Sequence, residues 1–252
     1  MNPVSMTEPL SLAIITFAFL AGGFVKGIAG LGLPIVTVAI LTFAFGLQNA
    51  MALMVAPGLL SNAWQAVSGN QTIPALKRIS PFMIPSLFTI WLGTGLLVTL
   101  DASWTVVMLG IILLVYSVTG ISGFSVDVPP KHDKWIGPGF GMVCGVTTGM
   151  TGVTSTPSVI YLNGLGMERE KFIQSMGLHF CISYIVLTIA LWFRGLLSLE
   201  IGMLTLYAVI PTILGQWIGR KLRLRTSESG FKWIFFRVLF AMAIYLIIRA
   251  VM

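Results

Sequence analysis

One glycine pattern occurs twice in this chain, and each copy interrupts a stretch that is otherwise apolar enough to enter a lipid bilayer. The copies cover Gly23–Gly32 and Gly145–Thr154, and both read G-x-x-x-G-x-x-G-x-[GT]. Glycine is a poor residue in the middle of a water-exposed helix, but inside a membrane it allows close helix packing or a break in the helix. Two such breaks at corresponding places in two halves indicate the binding site of a transporter.

Long apolar runs with almost no charge predict an all-α, polytopic membrane protein. They include residues 10–25, 81–100, 104–124 and 180–193. Charged residues make up only 9% of the chain, compared with roughly 25% in a soluble domain. The runs do not alternate as β-barrel strands do. The net charge of +7 comes from basic residues between the runs, which is typical of membrane-protein loops and does not indicate a nucleic-acid partner.

A second motif, I-P-[ST]-x4-W-[LI]-G, also occurs twice, at residues 84–93 and 210–219. Together the two motifs predict a first transmembrane repeat over residues 1–124, a polar linker over 125–134 and a second transmembrane repeat over 135–252. Each repeat is expected to contain a glycine-broken hairpin of two short helices and then three full spans, about eight spans in all. The expected segments are 10–46 (broken), 50–68, 80–99 and 103–124, then 135–165 (broken), 172–193, 198–219 and 231–250.

The basic residues predict the topology. If each broken hairpin returns to the side from which it enters, each repeat crosses the membrane an odd number of times and the two repeats are inverted. Twelve of the 15 basic residues then fall on one side, a strong positive-inside signal. They are Lys77, Arg78, Lys131, Lys134, Arg169, Lys171, Arg220, Lys221, Arg223, Arg225, Lys232 and Arg237. Both chain ends are therefore expected outside the cytoplasm.

The two breaks are chemically suited to an anion. In hydrocarbon, unwound backbone survives only where it is buried in protein or lines a cavity, and a helix that restarts there presents free N–H groups and a positive dipole end. Lys26 is expected within the first break, next to Gly27, and a lysine at membrane depth is a functional candidate, with snorkelling to a headgroup as the alternative. The expected contacts from this break are Lys26, Gly27, Gly30 and Gly32.

The second break is richer in hydroxyl groups, which donate hydrogen bonds without carrying a charge. Its expected contacts are Thr148, Gly149, Thr151, Gly152, Thr154 and Ser155. Any one of these hydroxyls could instead satisfy a neighbouring helix, as Ser and Thr do in membranes. Asn62 and His179 lie in apolar spans and are further candidates, with a purely structural role as the alternative for each.

Several absences narrow the function. All eight acidic residues lie in loops or at span ends, whereas cation sites and proton relays usually keep a carboxylate at membrane depth. The chain has no Walker A, H-E-x-x-H or C-x-x-C pattern. We therefore expect no cofactor, no metal and no enzymatic activity. Cys144 and Cys181 both lie in apolar segments and are expected to remain free of disulfides.

These motifs resemble the TauE/SafE sulfite exporter family, also called the 4-toluene sulfonate uptake permease (TSUP) family, from about Leu10 to Ile248. Its members have two homologous halves, each opening with a glycine-rich segment similar to those described above. Here Gly30–Pro34 replaces a more glycine-rich first copy, and Thr154–Pro157 stands where glycines are common. The resemblance implies movement of sulfite, sulfoacetate or another organosulfonate, often as export.

The combined interpretation is a transporter of small anions in a bacterial cytoplasmic membrane, with one site near the midplane between the repeats and alternating access as the halves rock about it. A passive anion channel and a membrane subunit of a larger complex are the alternatives. The expected partners are the anion and the lipid bilayer, and a homodimer is left open.

Overall fold

Every regular element in this computed structural model is an α-helix among the described residues, which are 6–67, 72–124, 126–129, 132–223 and 228–252. The all-α prediction is therefore confirmed. The expected basic residues Lys131 and Arg225 lie outside the described residues, as do parts of the predicted linker. The ten helices are α1 (Pro9–Ala29), α2 (Leu33–Phe45), α3 (Leu47–Val67), α4 (Thr72–Thr99), α5 (Ala102–Ser122), α6 (Asp133–Thr151), α7 (Ser155–Gly164), α8 (Arg169–Phe193), α9 (Leu199–Arg223) and α10 (Glu228–Val251).

Seven of these helices are long and apolar enough to cross a membrane: α1, α3, α4, α5, α8, α9 and the Trp233–Val251 part of α10. The molecule is thus a multi-pass membrane protein. The prediction of about eight spans counted each broken hairpin once. The hairpin of the second half contributes none of the seven, since glycine and threonine make α6 less apolar and α7 has only 10 residues.

The broken hairpins differ from the prediction of two short helices each. Helix α1 has 21 residues, which corresponds to ~31 Å at 1.5 Å per residue and matches the apolar thickness of a bilayer. Helix α6 has 19 residues. Each hairpin therefore pairs one long helix with one short helix, because the early glycines of each motif remain helical and only the last ones leave the helix.

Those early glycines are helical because they lie against a helix of the other half. A Cβ on Gly27 would lie 2.9 Å from the Cα of Gly219 on α9, and a Cβ on Gly149 would lie 2.8 Å from the Cα of Gly93 on α4. Gly93 and Gly219 are the final glycines of the I-P-[ST]-x4-W-[LI]-G motifs. The glycine motif of each half thus packs against the second repeated motif of the other half, as small residues do where membrane helices approach closely.

Other extensive helix contacts also join helices of one predicted repeat to helices of the other. Helix α1 packs on α9 and α4 packs on α6, so the first helix of each half contacts the fourth helix of the other. Helix α3 packs on α8, and α5 packs on α10. Helices at the same place in the two predicted repeats therefore make matching contacts across the boundary between them.

One end of the bundle collects many of the basic residues. The ends of α3, α5, α7 and α9 and the beginnings of α8 and α10 surround a single cavity there. The beginnings of α4 and α6 join this end through Arg78 and Asp133, which contact each other. We call it the basic end, because Arg78, Arg169 and Arg223 all belong to it.

Candidate functional site

The first break covers only Gly30, Leu31 and Gly32. Helix α1 ends at Ala29, and Gly30 adopts a left-handed φ of 79° with its N–H donating to the Lys26 carbonyl at 2.8 Å. Gly32 has a φ of 100°, and Pro34 lies in the first turn of α2. The sequence placed Lys26 and Gly27 within the break. That was wrong, since both lie in the last turns of α1 and Gly27 serves helix packing.

Lys26 is buried and held by α3. Only 8% of it is exposed, and its Nζ donates to Asn62 Oδ1 at 2.5 Å and to Ser61 Oγ at 3.1 Å. Asn62 is 1% exposed, and its amide donates to the Gly58 carbonyl at 2.6 Å. The structure therefore joins two sequence candidates, Lys26 and Asn62, that the sequence treated separately, and it places the ammonium inside the bundle and not at a headgroup.

The positive charge of Lys26 has no carboxylate partner among the described residues. The ion pair found there lies elsewhere, between Arg78 and Asp133. An ammonium held there only by neutral oxygens has no countercharge beside it, and a cation in a low-dielectric interior attracts an anion strongly.

The second break covers Gly152, Val153 and Thr154. Helix α6 ends at Thr151, and Gly152 adopts a φ of 70° with its N–H donating to the Thr148 carbonyl at 2.7 Å. Helix α7 then begins after Thr154. The sequence predicted that Gly149 is part of the break. That was wrong, since Gly149 lies inside α6 and packs against α4.

The hydroxyls of the second break play different roles. Thr151 Oγ1 donates to the Thr147 carbonyl at 2.7 Å and accepts from the Val153 N–H, so it closes its own helix end. Thr154 and Thr156 are buried, and their Oγ1 atoms have no hydrogen-bond partner among the described residues. These two hydroxyls at the start of α7 remain available to a ligand. The side chain of Ser155 lies outside what the structure describes.

His179 lies beside this break, on α8. It is fully buried, with Nε2 3.6 Å from the Cys144 thiol and Nδ1 without a hydrogen-bond partner among the described residues. Cys144 Sγ also lies 3.6 Å from the Thr154 carbonyl and 4.0 Å from Thr148 Oγ1. We call Thr148, Thr154, Thr156, Cys144, His179 and Ser183 the hydroxyl cluster, Ser183 being buried one turn beyond His179 with an unpartnered Oγ.

The hydroxyl cluster and Lys26 are connected through α3 and α8 and not by direct contact. No hydrogen bond joins Lys26 or Asn62 to the cluster within the described part of the chain. Gly58, which accepts from Asn62, faces the ring of Tyr184, since a Cβ at Gly58 would lie 2.6 Å from Tyr184 Cε1. Tyr184 in turn donates to the Gly152 carbonyl at 3.0 Å. A single continuous chain of contacts therefore runs from Lys26 to the second break.

Sequence reasoning missed a polar network at the basic end. Arg78 on α4 contacts Asp133 at the start of α6, and Tyr161 on α7 donates to Asp133 Oδ1 at 2.5 Å. Asp133 is 6% exposed, although the sequence assigned it to the polar linker. Its position directly before an apolar segment was the available signal. Cys144 and Ser183 were also missed, because isolated small residues in apolar runs carry no pattern.

The fold and these buried polar groups define the class of the molecule: a multi-pass helical membrane protein with a cation and hydroxyls inside its bundle. The chain matches the family described as Sulfite exporter TauE/SafE over residues 14–246, which is nearly its whole length. It therefore belongs to the TauE/SafE sulfite exporter family, a family of membrane transporters and not of enzymes. Comparisons with curated proteins and with solved structures gave no match.

Proposed function

We propose that this protein carries a small sulfur-containing anion across the membrane, and that the anion binds beside Lys26. The observation that carries the proposal is the burial of Lys26 with neutral partners alone. Removing a charge from water costs several kcal/mol unless a partner compensates it. An anion that reaches Lys26 supplies that partner, so the site binds anions and disfavours cations.

The hydroxyl cluster provides a second, separate binding position for the same anion. Thr154 and Thr156 stand at the N-terminus of α7, where the helix dipole and free N–H groups favour negative charge. Their hydroxyls are buried and have no partner in the described part of the chain, so each can donate to an oxyanion. His179 contributes a further nitrogen at the same place. The chain of contacts through Gly58 and Tyr184 would let occupancy at one break alter the other.

We propose inverted repeats and alternating access for the movement itself. The exchange of helix contacts between the halves supports this, since α1 with α9 and α4 with α6 are equivalent pairs. The basic end also supports inverted repeats. Parallel repeats would place Arg78, near the beginning of α4, and Arg223, at the end of α9, at opposite ends of the bundle. Rocking of one half against the other would slide the glycine contacts of these two pairs.

The family, whose description is that of a sulfite exporter, supports the proposed substrate class. Sulfite, sulfoacetate and related organosulfonates are the proposed substrates, and export from a bacterial cytoplasm is the proposed direction. The chemistry of the site itself requires only an anion with several acceptor oxygens.

The test is flux into liposomes containing the purified protein. Sulfite, sulfoacetate, thiosulfate, sulfate and chloride are compared with and without a pH gradient. Saturable flux that is accelerated by substrate on the opposite side supports a carrier. Non-saturating flux of every anion would show that the protein is a channel and not a carrier, and absence of flux would overturn the proposal.

Lys26→Met removes the charge while keeping an unbranched side chain of similar length. Hydrogen bonds to charged groups contribute about 1.5–3 kcal/mol, so we expect flux at low substrate to fall by about tenfold or more. Lys77→Met is the matched control, because Lys77 is exposed on α4. Equal flux in both variants would remove Lys26 from the site.

A further inference from the structure

The cavity at the basic end has a volume of about 590 Å³. Gly30 and Leu31 of the first break line it, together with the beginning of α8. Pockets of roughly 300–1,000 Å³ hold organic ligands of drug size. An inorganic oxyanion such as sulfite has only four heavy atoms and would fill a small part of this space.

The charge of the cavity is positive. Arg169 and Arg223 line it from the beginning of α8 and the end of α9, and no Asp or Glu is among the described residues that line it. Neither guanidinium pairs with a carboxylate within the described part of the chain. Asn163 and Gln65 add amide groups to the lining. Guanidinium groups bind sulfonate, carboxylate and phosphate oxygens in a forked geometry.

Most of the remaining lining of the cavity is apolar. It includes Phe124, Phe172, Ile173, Met176, Phe235 and Phe236. A ligand that fills the cavity must therefore present both a negative group and an apolar body. Burying that body contributes free energy in proportion to its apolar area.

The cavity also leads towards Lys26. Gly30, on its wall, donates its N–H to the Lys26 carbonyl, so Lys26 lies one helical turn deeper along α1. Gln65 follows Asn62 by about one turn of α3 in the same way. A ligand in the cavity is thus next to the contact between Lys26 and Asn62.

We propose that this cavity is a binding site for an organic anion with an apolar body, whose charged group is held by Arg169 and Arg223 before it passes to Lys26. The proposal rests on the proposed function for its second step alone. The first step, binding in the cavity, is an equilibrium property that can be measured without transport.

The experiment is isothermal titration of the purified protein in phosphatidylcholine nanodiscs with benzenesulfonate and with methanesulfonate. We expect benzenesulfonate to bind about tenfold more tightly or better, because the phenyl ring fills the apolar wall. Equal affinity for the two sulfonates would show that the apolar lining does not bind the ligand, and it would overturn the proposal regardless of the results with the variants.

Arg169→Gln and Arg223→Gln should each weaken benzenesulfonate binding by about tenfold. Lys221→Gln is the matched control, since Lys221 lies near Arg223 but its Nζ stands 4.0 Å from the Trp217 ring, outside the cavity. Equal weakening in all three variants would show an unspecific surface charge effect and overturn the site. Size-exclusion chromatography establishes that each variant is folded.

Two further arms separate the possible failures. Lys26→Met should lower flux by about tenfold or more but keep benzenesulfonate binding. Absence of flux in the wild type together with arginine-dependent binding would refute the proposed function and leave the cavity site standing. Repeating the titration in phosphatidylglycerol nanodiscs tests whether a lipid headgroup occupies the cavity. Loss of arginine-dependent binding there would assign the cavity to lipid phosphate and overturn the proposal.

Discussion

Lys26 and Asn62 join α1 to α3 through a hydrogen bond of 2.5 Å from Nζ to Oδ1, and both side chains are buried. The amide of Asn62 is itself held by the Gly58 carbonyl at 2.6 Å, so its oxygen has a fixed direction. A neutral acceptor orients the ammonium without cancelling its charge. A carboxylate at the same place would do both.

Asn62→Asp tests this distinction with almost no change in shape. The new carboxylate would form an ion pair with Lys26, so we expect anion flux to fall by about tenfold or more while the protein remains folded. Flux into liposomes and thermal unfolding are measured together. Asn49→Asp serves as the control, because Asn49 donates only to the Phe45 carbonyl, away from Lys26. Unchanged flux in Asn62→Asp would contradict an anion site at Lys26.

Gly149→Ala and Gly27→Ala should destabilise the protein. Each new Cβ would meet backbone atoms of the opposite helix, Thr94 N at 2.7 Å for Gly149 and Arg220 N at 2.9 Å for Gly27. Overpacking of this kind costs about 1–3 kcal/mol. The measurement is thermal unfolding in detergent, with Gly139→Ala as the control, since a Cβ at Gly139 meets nothing within 4 Å. A stable Gly149→Ala protein would mean that α4 and α6 can separate freely.

Asp133→Asn and Arg78→Gln should each lower the free energy of unfolding by about 1–3 kcal/mol, because each leaves a buried or half-buried polar partner unsatisfied. The double variant should cost less than the two single variants added together. Chemical denaturation of all three measures this coupling. Glu200→Gln is the control, an exposed carboxylate in the first turn of α9. Strict additivity would show that Arg78 and Asp133 do not interact.

The inverted topology predicts opposite sidedness for two exposed positions. In a chain carrying Cys181→Ser, Lys77→Cys should react with a membrane-impermeant maleimide only from the cytoplasmic side, and Glu200→Cys only from the outer side. The remaining native cysteine, Cys144, is fully buried, so labelling of the Cys181→Ser protein alone gives the background signal. Labelling of both positions from one side would refute the topology.

The sequence anticipated the helical segments closely, and particular residues show why. Membrane-spanning helices can be predicted from apolar runs without knowledge of their tertiary contacts, since the thickness of the bilayer sets their length. The break points were placed too early, at Gly27 and Gly149, because a glycine in a close helix contact and a glycine in a left-handed turn look the same in one dimension. Only the packing of Gly27 on Gly219 and the φ of 79° at Gly30 distinguish them.

The candidate site was anticipated in part. Lys26 and His179 stood out because charged and titratable groups are costly in apolar surroundings. Their contacts did not: Asn62, a separate candidate, reaches Lys26 from α3, and Cys144, which was not a candidate, reaches His179 from α6. Asp133 and Tyr161, 28 residues apart in sequence, meet only when α6 and α7 fold back on each other.

The amino-acid sequence by itself determined that this chain is a helical membrane protein that carries two repeated motifs, because hydropathy is a local property that the bilayer acts on directly and the motifs can be read from the residues alone. Only the tertiary structure decided which glycines pack and which turn, which hydroxyls remain unpartnered, and that the charge of Lys26 is met by an amide and not by a carboxylate. These depend on contacts between helices distant in sequence, where a side chain's role is set by the atom opposite it.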